Sequence, residues 1–187
     1  MDFRAAFADA LDQVPGEHMD ADRFVPATGA MDADTMLVGE APGADEVEQG
    51  EPFVGRAGQV LDEVLRDLGV DRGAVYITNL VKVRPPDNRD PTAAEIAAWQ
   101  PVLDAELDRV DPGTVVPLGN FATKELTGTE KGISEVHGTV FRRDGRRILP
   151  TFHPAATLYN PDTRPLLEED LAAAFEGGGM VQATLDG

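Results

Sequence analysis

"AVYITNLVKVRPPDNRDP", Ala74 to Pro91, is the stretch from which the rest of the chain can be read. Its first residues, Ala74–Thr78, are, after the alanine, β-branched or aromatic in the manner of a buried strand. Asn79 ends that run, and Pro85 and Pro86 then break it, since proline cannot donate to a sheet ladder. Lys82, Arg84 and Arg89 crowd into this loop although the formal net charge is -18. A basic, proline-stiffened loop at the end of a strand is a candidate functional element.

Three more β-like runs can be found on either side of it: "TMLVG" (35–39), "TVVPL" (114–118) and "RILPTF" (147–152). The first three of the four recur at intervals of about forty residues with helix-like segments between them, the spacing of βαβ units. In "AGQVLDEVLRDLG", Val60, Leu61, Val64, Leu65 and Leu68 form one apolar face and Gly69 can end the helix. "PTAAEIAAWQPVLDAELDRV" opens with a capping box, Thr92 to Glu95, and Pro101 is expected to kink it or to start a second helix. Asn120 is a candidate N-cap, and "TVFRRDGRRILP" reads as a hairpin around Asp144-Gly145. The expectation is one α/β domain over residues 1–176, a three-layer sandwich whose central four-stranded parallel sheet is flanked by helices. Residues 177–187, which open with three glycines, are expected to be a flexible tail.

The unusual residues fall at the carboxyl ends of these strands: "GEAPG" after the first, Asn79 after the second, "LGN" after the third and "HPAATLYNP" after the fourth. In an open parallel sheet that edge forms one crevice, where ligands bind. Four distant motifs would converge there.

Composition narrows the function. With 187 residues and no run of about 18 apolar residues, the chain suits a cytoplasmic globular protein, and its acidic start is unlike a signal peptide. It has 34 acidic against 16 basic residues, and lysine occurs only as Lys82, Lys124 and Lys131. That surface resembles proteins that work in molar salt, where a Debye length of about 3 Å screens self-repulsion. There is no cysteine, which excludes disulfides, thiolate nucleophiles and thiolate-held metals. The loop Gly39–Gly58 is rich in glycine and proline, but no Lys-Ser/Thr pair follows, so it is not a phosphate-binding loop of the Walker type. No His/Asp/Glu spacing suggests a metal, and no serine-centred elbow suggests a hydrolase triad. Of three histidines, only His153 lies in a motif-rich segment.

Taken together, "GEAPGADE…GEPFVGRAG", "YITNLVKVRPPDNRDP", "PLG" and "FHPAATLYNP" resemble the family 4 uracil-DNA glycosylases, in order and spacing, over roughly residues 34–175. The resemblance implies hydrolysis of the bond between uracil and deoxyribose in DNA, leaving an abasic site, on a base flipped out of the stack. It implies that Phe53 stacks on uracil and that the Asn79 amide pairs with its edge. The Glu40, Ala41, Pro42 and Gly43 backbone would line the pocket. His153 would donate a hydrogen bond to O2 of the departing base, while Glu46 and Asn88 would position water or stabilise the sugar cation. Leu158 would fill the vacated stack, and Arg84, Arg89 and the hairpin arginines would contact phosphates, with Lys82 adding to the DNA-facing charge of its loop. Uracil-containing DNA is the implied partner and a monomer the implied state.

The chain departs from the family in several places. Better-known relatives outside family 4 carry a water-activating aspartate where this chain has Ala41, but family 4 itself lacks it, so Ala41 is no loss. Val47 replaces an acidic residue and Tyr159 stands where arginine is common, which puts contacts at the DNA rim in question. The family's [4Fe–4S] cluster sits on four cysteines whose positions align with Asp12, Pro15, Val83 and Trp99, none of which supplies a thiolate. No cofactor is therefore expected, with hydrophobic packing in the cluster's place. Two other functions stay open: a non-catalytic nucleic-acid binder that lost turnover with the cluster, and a glycosylase for another deaminated base.

Overall fold

A computed structural model describes residues 1–180 of the chain. Five strands, β1 (Thr35–Gly39), β2 (Tyr76–Asn79), β3 (Thr114–Pro117), β4 (Phe141–Arg143) and β5 (Arg146–Ile148), form one sheet in the order β2-β1-β3-β5-β4. The β2, β1, β3 and β5 neighbours pair in parallel, as the sequence suggested. The first arm of the hairpin adds an antiparallel edge that the four-strand reading lacked. Asp144 and Gly145 both take positive φ, 52° and 80°, the geometry of a two-residue hairpin turn.

Helices cover both faces. On one side lie α1 (Phe3–Ala6), α2 (Ala8–Leu11) and α5 (Ala93–Val110), together with α6 (Asn120–Thr127). On the other lie α4 (Arg56–Asp67) and α9 (Thr163–Met180). Short helices α3 (Ala44–Gln49), α7 (Ile133–Val136) and α8 (Ala156–Tyr159) shape the connections. Strand alternation divides the core: Met36 and Val38 of β1 enter one apolar cluster and Leu37 the other. This is the three-layer sandwich.

Local signals meet tertiary context with mixed results. Thr92 and Glu95 form the reciprocal capping box, Glu95 N–H donating to Thr92 Oγ1 at 3.2 Å and Thr92 N–H to Glu95 Oε2 at 2.7 Å. Helix α5 then runs as one element through Pro101, so of the two alternatives, a kink or a second helix, the second helix does not form. Asn120 is the first helical residue rather than the cap. Gly119 takes that place, and Asn120 Oδ1 accepts instead from the Ile133 N–H at 2.8 Å. Helix α9 continues to Met180, and residues 181–187 of the expected tail lie outside the described residues.

The amino-terminal segment closes the open edge of β2. Thr28 and Ile77 exchange backbone hydrogen bonds of 3.0 and 2.8 Å, and Val25 N–H donates to Lys82 O at 2.7 Å. Edge closure of this kind removes a template for aggregation and fixes the loop that follows Asn79.

Candidate active site

A cleft of about 360 Å3 opens at the carboxyl edge of the sheet. Phe53, Asn79, Asn88, His153, Glu46 and Arg84 all line it, so residues spread over a hundred positions share one cavity. Ala41 and Gly43 also line it, whereas Glu40, Pro42, Arg89 and Leu158 lie outside its wall.

The floor depends on a residue that the sequence marked only as the start of a glycine-rich loop. Gly39 ends β1, and a Cβ there would lie 2.3 Å from Asn79 Oδ1 and 2.6 Å from Phe53 Cζ. Only a bare backbone lets the amide and the ring come this close. A second glycine supports Phe53 from behind: a Cβ on Gly58 would meet the Phe53 carbonyl oxygen at 1.8 Å.

Phe53 itself takes φ of +54°, a conformation that costs a bulky residue about 1–3 kcal/mol. Arg72, on the single turn Arg72–Ala74, offsets this strain. One guanidinium nitrogen donates to Pro52 O at 2.7 Å and Phe53 O at 3.2 Å, and the other binds Asp62 of α4. The buried ring then lies 5.4 Å from the His153 ring at a shallow 31°. Nothing local in the sequence marks Arg72, because its partners lie 10 to 20 positions away.

His153 follows the fourth strand region. Ala155 N–H donates to its Nδ1 at 3.1 Å, so the proton of the neutral ring sits on Nε2. Burial pushes the imidazole down to about 4, against the pull of the Glu46 carboxylate. At neutral pH the side chain is therefore an uncharged Nε2–H donor.

Glu46 holds the glycine-rich loop in shape. Its Oε2 accepts from Gly43 N–H at 3.1 Å and its Oε1 from Gly55 N–H at 3.2 Å, drawing both ends of the loop to one carboxylate. Across the cleft, Asp87 and Asn88 both adopt left-handed φ, 54° and 53°, a tight turn that brings Asn88 to the wall. Burial, then the charge and hydrogen bonding of Asp90, raise Glu40 to about 7, which ties the first loop to the Asn88 loop.

The basic loop requires a correction. Lys82 was expected to face DNA, yet it is only 1% exposed. Its Nζ donates to the Asn79 carbonyl at 2.6 Å and pairs with Glu106 Oε2 at 2.6 Å. Glu106 Oε1 accepts from Thr78 Oγ1 at 2.8 Å and Tyr76 OH at 3.1 Å. The loop turns back over the sheet, so a four-carbon stem reaches inward to a carboxylate on α5. Burial lowers the Lys82 ammonium while Glu106 pulls it up, and burial, reinforced by the same carboxylate, raises the Tyr76 phenol. The sequence did carry a sign of this network: Glu106 shares a helix face with buried Val102, Leu103 and Val110. Arg84 lines the cleft, while Arg89 is held in a bidentate pair by Glu95 at 2.8 Å.

Residues 26–175 match the family model of the uracil DNA glycosylase superfamily. The chain belongs to that superfamily. It is 44% identical over 155 residues to a type-4 uracil-DNA glycosylase of Sulfurisphaera tokodaii, covering 78% of this chain and 70% of that protein. The type-4 enzymes of Saccharolobus solfataricus and Archaeoglobus fulgidus are 42% and 41% identical, over 87% and 90% of this chain and 79% and 88% of theirs.

The cluster implied for type-4 glycosylases does not fit this member. Val83 forms a β-bridge with Phe24, and buried Trp99 packs against the same ring, centroids 6.1 Å apart. Phe3 lies 6.0 Å from Phe24 and 4.7 Å from Phe7, and the Arg4 guanidinium sits 4.5 Å over the Phe24 ring. Asp12 and Pro15 are exposed, and the chain has no thiolate to offer iron. Among the described residues, no helix is long and apolar enough to cross a membrane.

Proposed function

We propose that this chain is a uracil-DNA glycosylase that hydrolyses the N-glycosidic bond of uracil in DNA. What carries the reading is the meeting of Phe53, Asn79 and a neutral, Nε2-protonated His153 on one cleft wall. A flipped uracil would stack on Phe53 and offer its edge to the Asn79 amide, whose donor and acceptor together reject cytosine. As the C1′–N1 bond breaks, the electron pair moves into the base and negative charge grows at O2. His153 Nε2–H would donate to that oxygen. The neutral Nε2–H shares its hydrogen with the oxygen and keeps its proton, an oxyanion-type stabilisation. Water adds to C1′ and gives up a proton to solvent, the uracil anion takes one from solvent, and the abasic sugar and neutral uracil are the products. Both Glu46 and Asn88 line the cleft, and in this reading the Glu46 carboxylate would support the cationic sugar while Asn88 would orient water.

In this reading the enzyme works without iron. The Phe3, Phe7, Phe24 and Trp99 packing clips the amino-terminal segment to the loop after β2, the task we assign to the cluster in its relatives. Purified protein should be colourless and free of stoichiometric iron, aerobically or anaerobically. We further infer a cytoplasmic monomer adapted to high salt, from the acidic, lysine-poor composition. Incubating uracil-containing oligonucleotides with wild type and Asn79→Ala in KCl up to molar concentration, followed by alkaline cleavage, tests the activity. Wild type should produce abasic sites that the variant does not. No product from wild type at any salt would overturn the proposal and favour the non-catalytic binder.

A further inference from the structure

Tyr159 is 89% exposed, an unusual position for a large aromatic side chain, and Leu158 beside it is 37% exposed. Both stand on α8, which starts three residues after His153 and directly after Ala155, another residue of the cleft wall. Their backbone is firmly set. Ala156 N–H donates to His153 O at 2.9 Å, Thr157 N–H to Pro154 O at 3.2 Å and Leu158 N–H to Ala155 O at 3.1 Å. Thr157 turns inward and its hydroxyl donates to Pro154 O at 2.8 Å, so α8 is pinned while its next two side chains project outward.

Charge supplies the second line of argument. DNA carries one negative charge per about 1.7 Å of duplex, and the chain carries a formal -18. The basic groups near the rim are largely committed. Lys82 is buried, Glu95 holds Arg89, and Arg164 is shared by Glu63 and Glu168 at 2.7 and 2.8 Å. Phosphate contacts by Arg84 and Arg56 at the cleft remain, but such contacts weaken steeply as salt rises. A base stacked on an aromatic ring is a contact that salt screens little.

We propose that Tyr159 is a DNA-binding residue that stacks on a base next to the flipped nucleotide, giving this acidic chain a grip that salt does not loosen. The proposal rests on the glycosylase reading only for the location of the flipped base. Tyr159 follows Leu158 on α8, four residues beyond Ala155 of the cleft wall, and flipping leaves the bases next to the target unstacked and open to a flat partner.

The test measures Kd for a duplex carrying a stable abasic analogue, across a KCl series, for wild type, Tyr159→Ala, Tyr159→Phe and Tyr159→Arg. Tyr159→Ala should weaken binding by about 5- to 150-fold at every salt concentration, with the slope of log K against log salt unchanged. Tyr159→Phe should stay within about 2-fold of wild type, since the ring and not the hydroxyl makes the contact. Tyr159→Arg should steepen the slope by about 0.9, the mark of one added phosphate contact. Unchanged affinity in Tyr159→Ala, or a loss accompanied by a shallower slope, overturns the proposal. Uracil excision by wild type, run alongside, separates the two claims. Excision with a silent Tyr159→Ala sinks the stacking alone. Absent excision with a weakened Tyr159→Ala sinks the glycosylase reading and leaves the stacking in place.

Discussion

Adding one methyl group at Gly39 should cost most of the activity and little of the fold. Gly39 lies at the end of a fully buried strand without positive φ, so alanine is acceptable to its own backbone. The added Cβ, however, would lie 2.3 Å from Asn79 Oδ1 and 2.6 and 2.7 Å from two Phe53 ring atoms. To recover ordinary van der Waals separation, the amide and the ring must each retreat by about 1 Å. Phe53 has little room, because its strained backbone is pinned by Arg72 and backed by Gly58. A displacement of that size at a substrate-positioning group costs about 100-fold in rate, or about 2.7 kcal/mol. Overpacking adds about 1–3 kcal/mol of destabilisation, which leaves a folded protein to assay. Single-turnover excision from a labelled uracil oligonucleotide gives the rate, and circular dichroism melting checks the fold. If Gly39→Ala stays folded and keeps kcat/KM within about 3-fold of wild type, the cleft floor is not where this geometry puts it.

Further outcomes are expected elsewhere. Lys82→Met or Glu106→Gln should each destabilise by about 3–5 kcal/mol, since each strands a buried partner. Lys82→Met combined with Glu106→Leu should recover most of that loss in urea denaturation. His153, held to about 4 when folded against an ordinary value near 6.5, binds fewer protons folded than unfolded between those limits. Its contribution to stability should therefore be complete above about pH 6.5 and fall away toward pH 4, a dependence that His153→Gln removes. The acid limb of kcat assigned to this residue should sit near pH 4, leaving the rate flat through neutrality; an inflection near 6.5 would contradict the neutral-donor assignment. Glu40 shows the opposite sign. Raised to about 7, it favours the folded state when protonated, so its contribution declines as pH climbs from about 4.5 to 7 and Glu40→Gln should flatten that slope.

Much of this molecule was legible in one dimension, for reasons that are local. The parallel strands were visible because β1, β2 and β3 are buried on both faces and so read as continuous apolar runs. The Thr92–Glu95 box and the Asp144-Gly145 turn were readable because each is completed within four residues. The convergence of the Gly39–Gly43 loop, Asn79 and the His153 segment followed from topology, since residues at the carboxyl ends of neighbouring parallel strands must share an edge, whereas Phe53 was singled out only by the family resemblance.

What tertiary structure alone decided lies in long-range partners. Lys82 carries the same charge whether it faces phosphate or Glu106, and only the packing of α5 against the sheet chose the carboxylate. Asn120 could cap its helix until Ile133 claimed its oxygen. Gly39, Gly58 and Arg72 are ordinary residues whose roles exist only because Phe53 folds back among them. Periodicity and caps are set by a residue's near neighbours, whereas a cavity is set by which distant atoms close around it.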